Sequence, residues 1–287
     1  SLLVMQIARL SDRDRAETLV AGSLFVLFPF MSTAVPWITA MPHLLVTTLT
    51  SLGVFAALKA EQSQGPGWWW VSLAAMTLAP AAHESGVVCA AMVGGIVVIQ
   101  RGLPARRGVL AIILGHLVSV GAVVLRGWVP GVREASFVGL QDALRNVVFF
   151  LHGLVYPVAP VIGRLVRQRG AHDFTLVILS SVGLFAVVVW AMGRRDWRYG
   201  ASSLWWWACA VLPAVVSLSY GYLYTSPRIH ALSAGGLVML WAGLIAALGR
   251  AVRDKRGRLL VWIVLVGLIV TQNLAFLRRQ RSLYGLI

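Results

Sequence analysis

Acidic side chains are scarce in this chain: ten Asp and Glu stand against 25 Lys and Arg, and charged residues fill 12% of 287 positions. A water-soluble domain carries roughly twice that share of charge, so the composition excludes one. Lysine is nearly missing, with Lys59 and Lys255 its two occurrences. Cysteine is limited to Cys89 and Cys209, each inside an apolar run, which suits packed thiols better than a disulfide or a metal site. No CxxC, HExxH, Walker loop or GxGxxG occurs, which leaves redox and nucleotide chemistry without a foothold.

What the chain has in abundance is apolar sequence, 59% of all residues. Apolar runs of roughly 16 to 23 residues recur, the length of membrane helices, and the short alternation of an outer-membrane barrel is missing. The reading is an all-α integral membrane protein: a polytopic bundle of about 9 to 10 transmembrane helices forming a single domain over residues 1–287. The formal charge of +15 lies mainly in arginines of short loops between apolar runs. Positive-inside topology explains it without nucleic acid, and the expected location is a bacterial inner (cytoplasmic) membrane.

One stretch stands apart. Between Trp68 and Gln100 two uncharged apolar runs flank a single ionised residue, Glu84, beside His83. As helices the flanks rise only about 22 to 24 Å against a hydrocarbon core of roughly 30 Å, which sets the turn below the membrane surface. An acid and an imidazole there mark either a site in a wet, protein-lined cavity or a hydrated turn.

Taken in order, Ser1–Leu10 reads as the last turns of an apolar helix, so the chain is expected to be a piece of a longer one. A span over Thr18–Ile38, interrupted by Pro29 and Pro36, leads to Pro42 at the first turn of the next helix. Leu44–Leu58 then returns toward Lys59 and Glu61, which puts His43 and His83 at the same end, away from Lys59. The basic loop RGLPARR is a cytoplasmic marker. Gly108–Leu125 carries His116 near mid-span, read as a hydrogen-bonded packing residue. The segment 144–166 contains Pro157 and Pro160 and is expected to be re-entrant or broken. Phe174–Met192 and Leu204–Leu218 are two crossings joined by a cytoplasmic GRRDWR turn. Leu232–Leu248 follows, then the most basic loop, RAVRDKRGR, and a last crossing at Leu259–Leu277. The tryptophan triplets at 68–70 and 205–207 read as interfacial belts.

The outer-face polar residues are then His43, His83, Glu84, Arg133, Glu134, Tyr224, Arg228 and His230. Arginine forks, imidazoles and a sunken carboxylate suit an anionic lipid headgroup such as a polyprenyl phosphate, although ordinary loop hydration accounts for part of the set.

The order of features resembles multi-spanning GT-C glycosyltransferases, especially the protein O-mannosyltransferase-like members. LVAGSLFVLFPFMSTAVPWITAMPHLLVTTLTSLGVFAAL is similar to their apolar helix, His-Pro, Glu-Ala-Val-x-Trp and Arg-x-Asp segment. APAAHESGVV resembles their Ser-Lys-Glu hairpin, with His83 and Glu84 at its Lys and Glu. LPAVVSLSYGYLYTSPRIHALSAGG resembles their Arg-Tyr-Leu-Tyr-x-x-Ser-x-Gly segment. Phe28, Thr33, Met41 and His43 depart from the family's His, Glu, Arg and Asp.

The resemblance implies sugar transfer from a polyprenyl-phosphate donor on the extracytoplasmic face. The catalytic acid would lie upstream of residue 1, and Glu84, His83 and Arg228 would orient the donor phosphate. It identifies no cofactor, and a divalent-metal requirement stays open. The alternative from another class is a non-catalytic subunit that packs against a larger membrane complex and gathers lipid. A transporter fits less well, because the spans lack paired buried charges and an inverted repeat.

Overall fold

The computed structural model describes residues 1–28, 41–63, 65–127, 137–155, 173–252 and 254–283. Pro29, Pro36, Arg133, Glu134, Pro157 and Pro160 lie outside them, and so does most of the expected break within 144–166. The described chain is helical throughout: α1 (Leu2–Leu10), α2 (Arg15–Leu27), α3 (Met41–Ser63), α4 (Pro66–Ala82), α5 (Cys89–Arg101), α6 (Arg106–Gly127), α7 (Leu140–Leu154), α8 (Asp173–Ser217), α9 (Tyr220–Thr225), α10 (Ala231–Ala251) and α11 (Lys255–Leu283). Short 3-10 turns, Glu84–Val88 and Pro227–His230, precede α5 and α10. Among the described residues five stretches are long and apolar enough to cross a bilayer: Met41–Ser63, Glu84–Arg101, Arg106–Leu125, Trp197–Ser217 and Arg228–Ala251. This is an all-α integral membrane protein.

Local chemistry sets the helix ends. Asp14 caps α2, its side chain accepting the Glu17 N–H at 2.8 Å, which satisfies one of the first-turn donors that a helix leaves open. Pro42 and Pro66 sit in the first turns of α3 and α4, where a missing N–H costs nothing. After α5 the chain turns at Gly102 with φ 89°, a left-handed conformation that side chains with a Cβ resist.

Helix α10 is the post around which the others stand. In its span, Arg228–Ala251, 94% of the window is buried, enclosed by α8, α2, α3, α1 and α11. Glycines let α8 come close. A Cβ at Gly236 would fall 2.5 Å from the Ser203 carbonyl oxygen, and one at Gly235 would strike the Trp206 ring. Trp206 is fully buried and donates its indole N–H to the Leu232 carbonyl at 2.9 Å. Trp205 lies over Gly95 and donates to the Ala91 carbonyl at 3.0 Å.

The belt reading is therefore corrected for Trp206, whose indole fills a notch between α8 and α10, while Trp205 bonds to α5 and stays 40% exposed. Of the 68–70 triplet, Trp69 is buried against Gly108 and Trp70 points outward. Both cysteines are buried and free, as packed thiols.

Two further expectations change. Helix α8 continues for 45 residues through GRRDWR without a turn, so Phe174–Met192 and Leu204–Leu218 share one helix rather than forming two antiparallel crossings. Arginine, aspartate and tryptophan tolerate helix, and Gly193 alone, with no proline beside it, does not stop one. His116 bonds to the Ile112 carbonyl at 2.8 Å, as a hydrogen-bonded residue should, but it lies exposed on the outside of α6 rather than packed.

Candidate functional site

The bundle has two chemically different ends. At one, Glu17 is buried (3% exposed) and paired with Arg250 through a short contact and with Arg13 at 3.4 Å. The Arg13 guanidinium also stands 4.5 Å over the Tyr199 ring. Arg101 donates to the Leu10 carbonyl at 2.5 Å and pairs with Asp12 at 3.7 Å. Gln100 donates to Ser202 Oγ at 3.0 Å, and the Ala105 N–H reaches Glu61 at 3.4 Å. These bonds gather the loops after α1, α3, α5 and α10 on one side. Burial lifts the Glu17 carboxyl above its ordinary range, with Asp14 adding to the effect, while Arg13 and Arg250 pull it back only in part.

The histidines occupy the other end. Pro80 lies inside the last turn of α4, and the chain then extends at His83 (φ −160°, ψ 147°), which caps the 3-10 turn that follows. Its Nδ1 accepts the Ser85 backbone N–H at 3.1 Å and lies 2.8 Å from Ser85 Oγ. An amide N–H can only donate, so Nδ1 is bare, and a neutral His83 carries its proton on Nε2. Gly86 lets the turn fold back on α4: a Cβ there would fall 2.2 Å from the Ala79 carbonyl. Glu84 opens the 3-10 turn and is exposed.

His43, in the first turn of α3, brings its ring to 4.2 Å from that of His83, centroid to centroid, at a tilt of 43°. Arg228, on the turn before α10, is close enough for its charge to bear on His43. Its Nη2 donates to Tyr222 Oη at 3.4 Å, whereas its Nε–H is buried and has no hydrogen-bond acceptor among the described residues. Leaving such a donor unmet is costly, and a guanidinium cannot escape the cost by losing its proton.

His43, His83 and Arg228 thus come together from three elements. His230 goes elsewhere. It is 1% exposed, between Phe149 at 5.0 Å and Phe150 at 4.9 Å, with its ring against Gly153. Tyr224 lies on α9, but its side chain is outside the described residues.

Sequence reasoning passed over Ser85, which fixes the His83 tautomer, and Asn146. The buried Asn146 amide donates to the Val215 and Leu218 carbonyls at 3.0 and 2.7 Å, holding α7 to the end of α8. An amide amid the apolar LRNVVFF run was the available signal.

As a chemical set, Arg228 and a neutral His83 present donors, with His43 alongside. Coordination of a metal by His83 Nε2 would move the proton to Nδ1 and into the Ser85 N–H. Among the described residues no group of three or more His, Cys, Asp or Glu is placed to hold a metal ion. An anion is the kind of ligand whose chemistry complements such donors.

Comparison with protein-family models, curated proteins and solved structures returned no match for this chain. The class that fold and composition define is therefore the coarse one already reached, an all-α integral membrane protein.

Proposed function

We propose that the histidine end binds the phosphate of a polyprenyl-phosphate sugar presented from the bilayer, and that the chain is the membrane scaffold of a GT-C-like glycosyltransferase. The observation that carries the headgroup is the buried Nε–H of Arg228, which has no acceptor among the described residues, beside the His43–His83 pair. The basic loops lie at the opposite end, and the positive-inside rule then turns the histidine end away from the cytoplasm. In a bacterial inner membrane that is the extracytoplasmic face.

The chemistry follows from the donors. When the bond between the sugar's anomeric carbon and the phosphate oxygen breaks, its electron pair stays on the phosphate. In this reading Arg228 and His83 stabilise that charge, and stabilisation that grows as charge develops lowers the barrier. The acceptor hydroxyl loses its proton to a base that the resemblance sets upstream of residue 1. Glu84, exposed at the rim, is assigned to orienting the donor.

The test is titration of a polyprenyl phosphate into the full-length protein in nanodiscs, followed by a transfer assay with the sugar-charged lipid. Saturable binding that Arg228→Ala abolishes, together with turnover, is the expected result. Binding with no turnover by full-length protein, copurifying in fixed stoichiometry with a larger complex, would transfer the assignment to the non-catalytic subunit. Undiminished turnover by Glu84→Gln would remove Glu84 from the site.

A further inference from the structure

The three groups at the histidine end differ in how they can carry charge. Arg228 is a cation at every working pH. His83 is held neutral by its own turn: Nδ1 already accepts the Ser85 N–H, and a proton placed there would lose that bond and set two N–H groups against each other. His43 is under no such restraint, since among the described residues no donor is bonded to either of its ring nitrogens. It is half-buried rather than sealed, so water can bring it a proton.

In the empty site a charge on His43 is opposed from three directions. The Arg228 guanidinium repels it, the first turn of α3 presents the positive end of that helix's dipole, and the His83 ring at 4.2 Å displaces water that would solvate it. Glu84, the acid beside His83, lies exposed on the next turn, where solvent screens it. A phosphate seated on Arg228 and His83 reverses the balance, because its negative charge then stands beside His43 and favours the imidazolium. Anion and proton each strengthen the binding of the other by the same factor.

Resting on the reading of this end as a headgroup site, we infer that His43 takes up a proton from the outer aqueous side when the headgroup binds, so that loading of the site is governed by pH. Neither the sugar donor nor the acceptor supplies this proton, and it returns to water when the phosphate leaves. Arg228 and His83 keep their charge states throughout, one a permanent cation and the other a neutral donor. The second cation matters most once the sugar has left, when the phosphate has gained a further negative charge.

The test uses the full-length protein in nanodiscs and a short-chain polyprenyl-phosphate glucose, a phosphodiester whose single charge does not titrate between about pH 5 and 8, where histidine does. Calorimetric titration in Pipes, Hepes and Tris, whose ionisation heats differ, counts the protons exchanged. Net uptake that rises toward one proton per headgroup as pH falls is expected, with affinity dropping up to about tenfold for each pH unit of increase. His43→Gln should bind more weakly, take up no proton and lose the pH dependence, whereas His83→Gln should also bind more weakly yet keep the uptake. Saturable wild-type binding with no proton uptake would overturn the inference and leave the headgroup reading standing, and that count needs no variant to fold. Uptake that survives His43→Gln, or that vanishes with His83→Gln, would overturn it as well. No saturable binding at any pH would end both.

Discussion

His43 opens α3 and His83 closes α4, and because those helices run antiparallel side by side, the two imidazoles meet at 4.2 Å at the end of the bundle opposite its arginine-rich loops. The guanidinium of Arg228, a permanent cation, lies close enough for its charge to act on His43.

Arg228 is expected to dominate headgroup affinity. Loss of charged hydrogen bonds worth about 1.5 to 3 kcal/mol corresponds to about 10- to 100-fold weaker polyprenyl-phosphate binding for Arg228→Ala. Arg228→Lys should recover little, because a point charge does not replace a planar fork. Titration in nanodiscs decides it, and wild-type affinity in the lysine variant would show that charge alone suffices.

Gly86 is expected to tolerate no side chain. With the Ala79 carbonyl 2.2 Å from the position of a new Cβ, Gly86→Ala must push the 3-10 turn off α4 and carry His83 with it. Melting temperature and headgroup affinity should fall together. Gly183→Ala, where the added carbon meets nothing within 4 Å, is the matched control and should change neither.

The contact of α8 with α10 makes a parallel case for stability alone. Gly236→Ala sets a carbon 2.5 Å from the Ser203 carbonyl oxygen, and overpacking of this kind costs about 1 to 3 kcal/mol. Equilibrium unfolding in mild detergent should register that loss without altering lipid binding at the far end.

Glu17 gives a pH dependence with a definite sign. Its carboxyl titrates higher in the folded protein than its ordinary value of 4.5, chiefly because it is buried. The folded state therefore holds that proton more tightly. The stability this contributes is fully present below pH 4.5 and is lost as pH rises through the elevated value. Glu17→Gln should flatten this part of the melting-temperature profile. At neutral pH, Glu17→Ala removes the carboxylate that Arg250 and Arg13 contact; since the Arg250 guanidinium is partly exposed and rehydrates, the cost is about 1 to 3 kcal/mol rather than a full buried-pair loss.

Much of the architecture was readable from the chain itself. Pro42 announced a helix start, and the His83–Glu84 interruption announced the hairpin turn. Arginine placement foretold which ends lie together, because all three signals are local in sequence. The pairing of His43 with His83 was legible only as a shared end; which way each ring points depends on the Ser85 bond and the fold-back at Gly86.

Trp206 was misread because an indole beside a charged stretch looks the same whether it faces headgroups or fills a notch made by glycines on another helix. His116 was misread for a related reason. A helix that is apolar all round gives no sequence clue to which face its neighbours cover. GRRDWR looked like a loop by charge, yet each residue but one is an acceptable helix former, and helical propensity prevailed.

The enclosure of Ala231–Ala251 has a bearing on assembly. The segment emerges from the ribosome after α1, α2, α3 and α8, yet it fills the space between them. Those earlier helices must wait in the bilayer around a vacant socket, occupied by lipid tails until the post arrives. A nascent chain stalled short of residue 231 would keep that socket open, exposing the glycine notches and the Trp206 indole, and would be marked for quality-control proteolysis before it could mature.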